Sequence, residues 1–530
     1  MIRSTLFACT LTAALAAIAV AGTEAKTLRY ASQDDPQTLD PHSANLLPTN
    51  RVLAQVYEGL VIRDKNFKII PGLAVSWSQP DKSTWRFKLR ANVKFHEGQS
   101  FSADDVVFSV ERALHPLSQL KSSLQGVAGA KKIDNLTVDL VMKEPNPVLL
   151  NHLFQFRVMS KEWTVKNKAE SPQNYKDRED TFASRNTNGT GPFKVTSRQA
   201  DVKTVLVAYP DWWNRNSPEK GNLTQVDLLP VKSNATRAAA LLSGEVDFVL
   251  DPPPQDVARL KTNPNVKVVE GTEARFQYLA FDHSRNELLY SDVKGKNPFK
   301  DVRVRRAIAH AIDIEAIKEK VMRGLSVPTG SMVGPAGVQG YTRDAEKRYA
   351  FDKEKARQLL TEAGYPNGFS ITLDCGNIQP AADICQAIPP MLSQVGIRAT
   401  PNIIPQANYF PKIQKFDTSM YLLSWGAATY DALYNLQLLL HTSTGENTGN
   451  GDSNYGRYSN PKMDELIGRI KIEGDMKKRD ALIREALLLN NSDVAILPLH
   501  QALVPWAMRK NVDATFSPNN VAYFFRFKLN

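Results

Sequence analysis

Hydrophobic and polar positions along the chain switch repeatedly between a period of two and a period near 3.6, the pattern of a mixed α/β protein. Trp85, Phe87 and Leu89 alternate with Arg86, Lys88 and Arg90, which predicts a half-buried strand with one basic face. After a turn at Ala91-Asn92, Val93 and Phe95 mark a second short run. A helix is expected from Ser102, a good N-cap. Asp105 follows three residues on as in a capping box, and Val106, Val107, Val110, Ala113 and Leu114 form the apolar stripe. Leu136, Val138, Leu140 and Met142 alternate as another strand. Further helices are expected from Arg303 to Arg323, stopping at Gly324, and from Asp352 to Ala363, stopping at Gly364. Asn460-Pro461 opens another, with Met463, Leu466, Ile467 and Ile470 inward. Residues 380–395 read as helical, but Pro389-Pro390 should kink or break that helix. The stretches 329–340 and 441–456 are rich in Gly, Asn, Ser and Thr and read as loops; no internal repeat or low-complexity segment is visible.

The first 25 residues have the layout of a secretory signal peptide: Arg3, an apolar Ala-rich run from Leu6 to Val20, then small residues at Ala19, Ala21, Thr23 and Ala25. Cleavage after Ala21 or Ala25 fits, and the alternative is a single membrane anchor. Beyond residue 25 no apolar run approaches the ~18 residues that would span a bilayer. The 530 residues exceed what one hydrophobic core supports, so several domains are expected. Hydrophobic residues at 42% and charged residues at 23% are ordinary for a globular chain. Setting Cys9 aside leaves Cys375 and Cys385. In an exported chain that close pair suggests a disulfide, the alternative being two free buried thiols.

No catalytic or cofactor motif emerges. The eight His residues are scattered, with no pair three or four apart for a helical metal site. There is no phosphate-binding loop, nucleophile elbow or dinucleotide fingerprint. Gly189-Thr190-Gly191 is the nearest approach to a Gly-rich loop, but Pro192 removes a donor a phosphate would use. The reading is therefore not an enzyme, with no cofactor and no metal. The excess of 66 Lys+Arg over 55 Asp+Glu, a net +11, raises nucleic-acid binding. The charge is spread along the chain, and the run Lys477-Lys478-Arg479 between Asp475 and Asp480 reads as a solvated helix face, so nucleic acid is not expected as a partner.

A series of segments, in order, resembles family 5 of the bacterial extracellular solute-binding proteins, the peptide, nickel and opine receptors of ABC importers. They are Thr38-Leu39-Asp40-Pro41-His42, Val56-Tyr57-Glu58-Gly59-Leu60-Val61, Phe87-Lys88-Leu89-Arg90, Val93-Lys94-Phe95-His96-Glu97-Gly98, Phe101-Ser102-Ala103-Asp104-Asp105-Val106, Gly189-Thr190-Gly191-Pro192-Phe193, Gly244-Glu245-Val246-Asp247, Val302-Arg303-Val304-Arg305-Arg306-Ala307-Ile308 and Ala363-Gly364-Tyr365-Pro366. The resemblance spans nearly the whole mature chain. It implies two lobes around a hinged cleft with an extra domain beside the first lobe. Carried over, lobe one is 26–55, 189–280 and 494–530, the extra domain 56–188, and lobe two 281–493, with crossovers near Phe281 and residue 493. It also implies a periplasmic receptor that works as a monomer, captures an oligopeptide or peptide-like solute and delivers it to an inner-membrane permease. A sugar-derived, opine or chelated-metal cargo is the alternative within the family, and a secreted hydrolase the alternative outside it.

Peptide-binding relatives carry, shortly after a Trp in lobe two, an Asp that pairs with the peptide amine. Here the stretch is Trp425-Gly426-Ala427-Ala428-Thr429-Tyr430-Asp431, with Ala428 in the acidic place and Asp431 three residues later. Asp431 either does the same work from a shifted turn or caps the following helix. Where many relatives have Pro-Asn-Asp-Arg-Tyr after the first Cys, this chain has Gly376-Asn377-Ile378-Gln379-Pro380. Tyr30, Trp425, Tyr430 and Tyr434 are candidate aromatic walls, and Asn450 a polar loop contact. Arg275, on a strand approaching the crossover, is a candidate for a ligand carboxylate or for an interdomain salt bridge. The Asp40-Pro41-His42 and Gly189-Thr190-Gly191 segments read as a local turn and a backbone crossing.

Overall fold

The computed structural model describes residues 25–335, 337–378, 380–445 and 448–530, without the side chain of Ala407. The expected signal segment lies, except for Ala25, outside the described residues. The largest element is an eleven-stranded sheet. In one half, Thr27–Ser32 pairs in parallel with Gln225–Pro230 and Phe248–Leu250, and Lys203–Ala208 and Phe193–Gln199 extend the outer edge. In the other half, Phe369–Gly376 pairs in parallel with Ile397–Ile404 and Met420–Gly426. Parallel neighbours require crossover connections, which helices Asn234–Ser243, Ala381–Ser393 and Gln406–Gln414 supply.

Two long antiparallel strands, Val266–Phe281 and Ile496–Arg509, join the halves. Ile496–Arg509 pairs with Phe248–Leu250 near its end, at Met508, Ala507 and Trp506, while Val266–Phe281 pairs with Met420–Gly426 from Arg275 onward. Each strand therefore begins in one half and finishes in the other. The change of partner falls at the register break between Thr272 and Phe276 and opposite Gln501–Leu503, several residues inside the expected crossovers.

A separate four-stranded antiparallel sheet, in the order Ala74–Asp81, Thr84–Leu89, Thr137–Met142, Val127–Asp134, carries the helix Ala103–Leu114. The alternation read from sequence holds: Trp85, Phe87 and Leu89 are buried together with Val138, Leu140 and Met142, though Leu136 is exposed just before its strand. Ser102 and Asp105 form the expected capping box. Asp352 and Asn460 cap their helices as expected.

Three helical expectations need correction. The segment after Arg303 is not continuous: Val302–Ala311 ends at Ile312, and a short turn Ile314–Ala316 leads into a π segment Ile317–Val321. Pro389-Pro390 does not break Ala381–Ser393. The prolines deprive the carbonyls of Cys385 and Gln386 of helical partners, but the helix stays continuous, with Ile388, Pro389 and Leu392 buried in the core. The run Lys477-Lys478-Arg479 is not wholly solvated. The two lysines are exposed, whereas Arg479 faces inward from Met476–Asp493 and is fully buried. Cys375 and Cys385 are joined by a disulfide that ties the strand Phe369–Gly376 to its crossover helix.

Close approaches fix the extra domain to the first half. A Cβ on Gly189 would lie 1.9 Å from the Val56 carbonyl oxygen, so only glycine permits this crossing. Asp40, read as part of a local turn, does accept from the His42 amide at 3.0 Å. Its larger role is a fully buried bidentate pair with Arg112 of the helix Ala103–Leu114, at 2.7 and 2.6 Å.

Candidate functional site: the cleft at the crossing strands

Asp251 follows the carboxyl end of Phe248–Leu250, and Gly426 ends Met420–Gly426. Ligands of open α/β sheets bind outside the carboxyl ends of parallel strands. Here such ends from both halves meet beside the crossing strands. Arg51 pairs with Asp251 at 2.8 Å and donates to the Asn520 carbonyl at 3.0 Å, which anchors a charged wall on the first lobe.

Arg275, on the crossing strand Val266–Phe281, opposes Gly426 of the neighbouring second-lobe strand. Its exposed guanidinium reaches Ser424 Oγ at 3.3 Å and Glu273 at 3.7 Å, and a Cβ on residue 426 would stand 3.4 Å from it. Burial pushes the Glu273 carboxyl pKa up, against the nearby charge of Arg275; Asp251 and Arg51 act on it as well. Charged groups of both lobes thus converge at the partner change of the crossing strand.

Trp425 opposes Phe276, so strand alternation turns it to the sheet face opposite Arg275. There it is half-buried and stacks on Tyr434, with ring centroids 6.0 Å apart and planes at 27°. Tyr434 lines a cavity of about 110 Å³ between the helix Ala432–Leu440 and the extra domain, together with Gln437, His152 and Lys471. Asn450 sits beside this cavity, its Oδ1 accepting from Gln437 Nε2 at 2.8 Å.

Of the remaining expected site residues, Asp431 borders the same cavity, Tyr430 lies within electrostatic reach of Glu273 and Arg275, and Tyr30 lies in the core of the first lobe. Asp431 is fully buried: it caps Ala432–Leu440 by accepting from the Leu433 amide at 2.8 Å, and both its oxygens accept from Arg479 at 2.7 Å. Of the two readings for this residue, the geometry favours the cap, and the carboxylate is already paired. Tyr430, in a left-handed turn at φ 55°, is buried against the extra domain. Its ring packs at 4.8 Å from Phe67 and 6.0 Å from Phe154, and burial raises its hydroxyl pKa. Arg63 lies 4.9 Å from the centroid of the same ring. Tyr30 is a core residue, 2% exposed and packed on Phe248 and Phe524, because its place on a central strand points it into the first lobe. Sequence reasoning missed Glu273, Arg63 and Arg479. Glu273 could have been found from Arg275, since strand alternation puts residues two apart on one face. The other two partners lie far along the chain and left no local signal.

The family model for bacterial extracellular solute-binding proteins, family 5 middle, matches residues 68–447, and the chain belongs to that family. Glutathione-binding protein GsiB of Shigella dysenteriae serotype 1 is 29% identical over 461 residues, covering 85% of this chain and 84% of that protein. Heme-binding protein A of Haemophilus influenzae is 28% identical over 477 residues, covering 84% and 81%. Among solved structures, HbpA2 from Haemophilus parasuis superposes with a TM-score of 0.80 at 24% identity, covering 95% of this chain and all of that one. DppA from Helicobacter pylori in complex with the peptide STSA gives 0.71 at 24% identity, covering 95% and 98%. The fold is thus that of the two-lobed periplasmic binding proteins.

Proposed function

We propose that this chain is a periplasmic receptor that captures a short peptide or peptide-like solute between its lobes and hands it to an ABC importer. The observation that carries the reading is the pair of crossing strands, each bonded in both halves of one sheet. Such a pair leaves two lobes free to rotate about a narrow connection. Closure would desolvate the solute, and the permease would read the closed form. We place the lobe division at Thr272–Phe276 and Gln501–Leu503, where strand partners change, with 56–188 as the extra domain. The peptide class is supported by the peptide complex of the Helicobacter pylori neighbour and by the glutathione-binding relatives. The heme-binding relative supports a second reading, a heme or other chelated-metal cargo.

Native mass spectrometry of protein extracted from the periplasm, with the monomer mass as internal check, tests the class of cargo. A retained, unmodified peptide mass is expected. A heme or sugar mass replaces the peptide reading, and time-dependent cleavage of added peptides replaces the receptor reading with a hydrolase. Solution scattering with a ligand verified by calorimetry should show a smaller radius of gyration; an unchanged profile at saturation argues against a closing clamp.

A further inference from the structure

Glu273 and Arg275 stand two residues apart on the crossing strand, at the register break between Thr272 and Phe276. Among the described residues, the Glu273 carboxylate has Arg275 as its one ion-pair partner, at 3.7 Å, beyond the range of a good hydrogen bond. The Glu273 side chain is 19% exposed, and a carboxylate so enclosed ordinarily takes two or more donors. Arg275 keeps 45% of its side chain in solvent and makes one weak bond, to Ser424 Oγ at 3.3 Å. Its planar fork therefore retains donors for a bidentate partner. The loop after Trp425 offers no free acid: Ala428 is exposed and apolar, and both oxygens of Asp431 are bonded to Arg479. On the side of the first lobe the charges near Glu273 already neutralise each other, since Arg51 is paired with Asp251. One acid and one base with unused hydrogen-bonding capacity thus lie side by side at the meeting point of the lobes.

We infer that Glu273 and Arg275 together receive a free α-amino-acid head group, the carboxylate taking the ammonium and the guanidinium taking the carboxylate carried on the same carbon. Their closeness selects this class. A chain with its amine and carboxylate many bonds apart satisfies only one of the two groups, whereas an amino acid or a γ-linked peptide presents both together. The inference rests on the peptide-like reading above and narrows it. Because both groups sit on the crossing strand, a bound head group touches the segment about which the lobes would turn, which couples occupancy to closure.

The test is calorimetry of the full mature chain with three probes: glutathione, L-glutamine and L-alanyl-L-alanine. Each is also offered with its amine acetylated and, separately, with the carboxylate of its amino-acid head amidated (for the dipeptide, its C-terminal carboxylate). Glutathione or glutamine is expected to bind, and either blocking step should weaken binding at least tenfold. In Glu273→Gln the penalty for acetylation should vanish while that for amidation persists; in Arg275→Gln the reverse should hold. This crossed pattern separates recognition from damage to the hinge, which would weaken every probe alike. Equal binding of blocked and free forms by the parent chain, or unchanged penalties in both variants, overturns the inference. If alanylalanine binds while glutathione and glutamine do not, the head-group inference falls and the peptide receptor stands. If no probe binds and native mass spectrometry finds a non-peptide cargo, both fall.

Discussion

Both carboxylate oxygens of Asp431 accept hydrogen bonds from Arg479 at 2.7 Å, and neither side chain is more than 1% exposed. The pair joins the start of Ala432–Leu440 to Met476–Asp493 beneath the loop expected to hold the solute. Breaking such a buried pair by removing one charge leaves the other uncompensated, at a cost of about 3–5 kcal/mol. Asp431→Asn should therefore lower the urea midpoint strongly, while the ratio of affinities for a free-amine ligand and its acetylated form stays as in the parent. A loss confined to free-amine ligands, without loss of stability, would return Asp431 to the ligand.

The seam between the extra domain and the second lobe is held by an aromatic cage. Arg63 lies 4.5, 5.0 and 4.9 Å from the ring centroids of Phe67, Phe154 and Tyr430, and Gln155 Nε2 donates to the Ala428 carbonyl at 3.0 Å. Desolvated cation–π contacts contribute about 2 kcal/mol. Tyr430→Ala should weaken ligand binding about tenfold or more by loosening this seam. Scattering should show a larger radius of gyration at ligand saturation than in the parent. Parental affinity and radius in the variant would mean the seam does not bear on closure.

Glu58 is buried at the junction of the extra domain, accepting from the indoles of Trp212 and Trp213 at 3.1 and 2.6 Å and from Thr190 at 2.9 Å. Burial outweighs these donors and pushes its pKa up to about 7. The folded state thus holds this proton more tightly than the unfolded chain. The stabilisation is complete below the unfolded value near 4.5 and is lost as pH rises through about 7. Other groups titrate in the same window, so the informative quantity is the difference between parent and Glu58→Gln. Relative to the variant, the parent should lose stability between pH 4.5 and 7.5, on the order of a few kcal/mol in total. A flat difference across that range would show that Glu58 is ionised throughout.

Cys375 and Cys385 close a ten-residue separation within the core of the second lobe. On the chain-entropy account a loop this short contributes roughly 2–3 kcal/mol. Replacing both cysteines by alanine should lower the unfolding free energy by that amount and the denaturation midpoint with it, and reductant should then have no further effect. Parent protein whose midpoint is indifferent to full reduction would show the bridge to be neutral.

What could be read from the chain followed the range of the interaction. The Ser102–Asp105 box, the Asp352 and Asn460 caps and the alternation of Trp85, Phe87 and Leu89 each depend on neighbours within a few residues, so their pattern lies in one stretch of sequence. The ligand loop did not yield in the same way. Asp431 could be read as receptor or cap because its partner lies 48 residues on, within a basic run that looks solvated on charge alone. Pro389-Pro390 carries a strong local signal against a helix, which burial of Ile388, Pro389 and Leu392 along one face overrides.

The mixed α/β class and the family were legible in the chain, because strand alternation, helix caps and an ordered series of local motifs survive without knowledge of contacts; the close cysteine pair suggested a bridge that the structure then shows. Tertiary structure alone decided which charges are free. Arg479 pairs with Asp431, Asp251 pairs with Arg51, and the Tyr430 ring packs on Arg63. Glu273 and Arg275 are left with unmet hydrogen-bonding capacity at the place where two strands change partners. Whether a charged side chain is spent on the fold or kept for a ligand depends on what lies opposite it across the packed lobes, and that is set by the path of the whole chain.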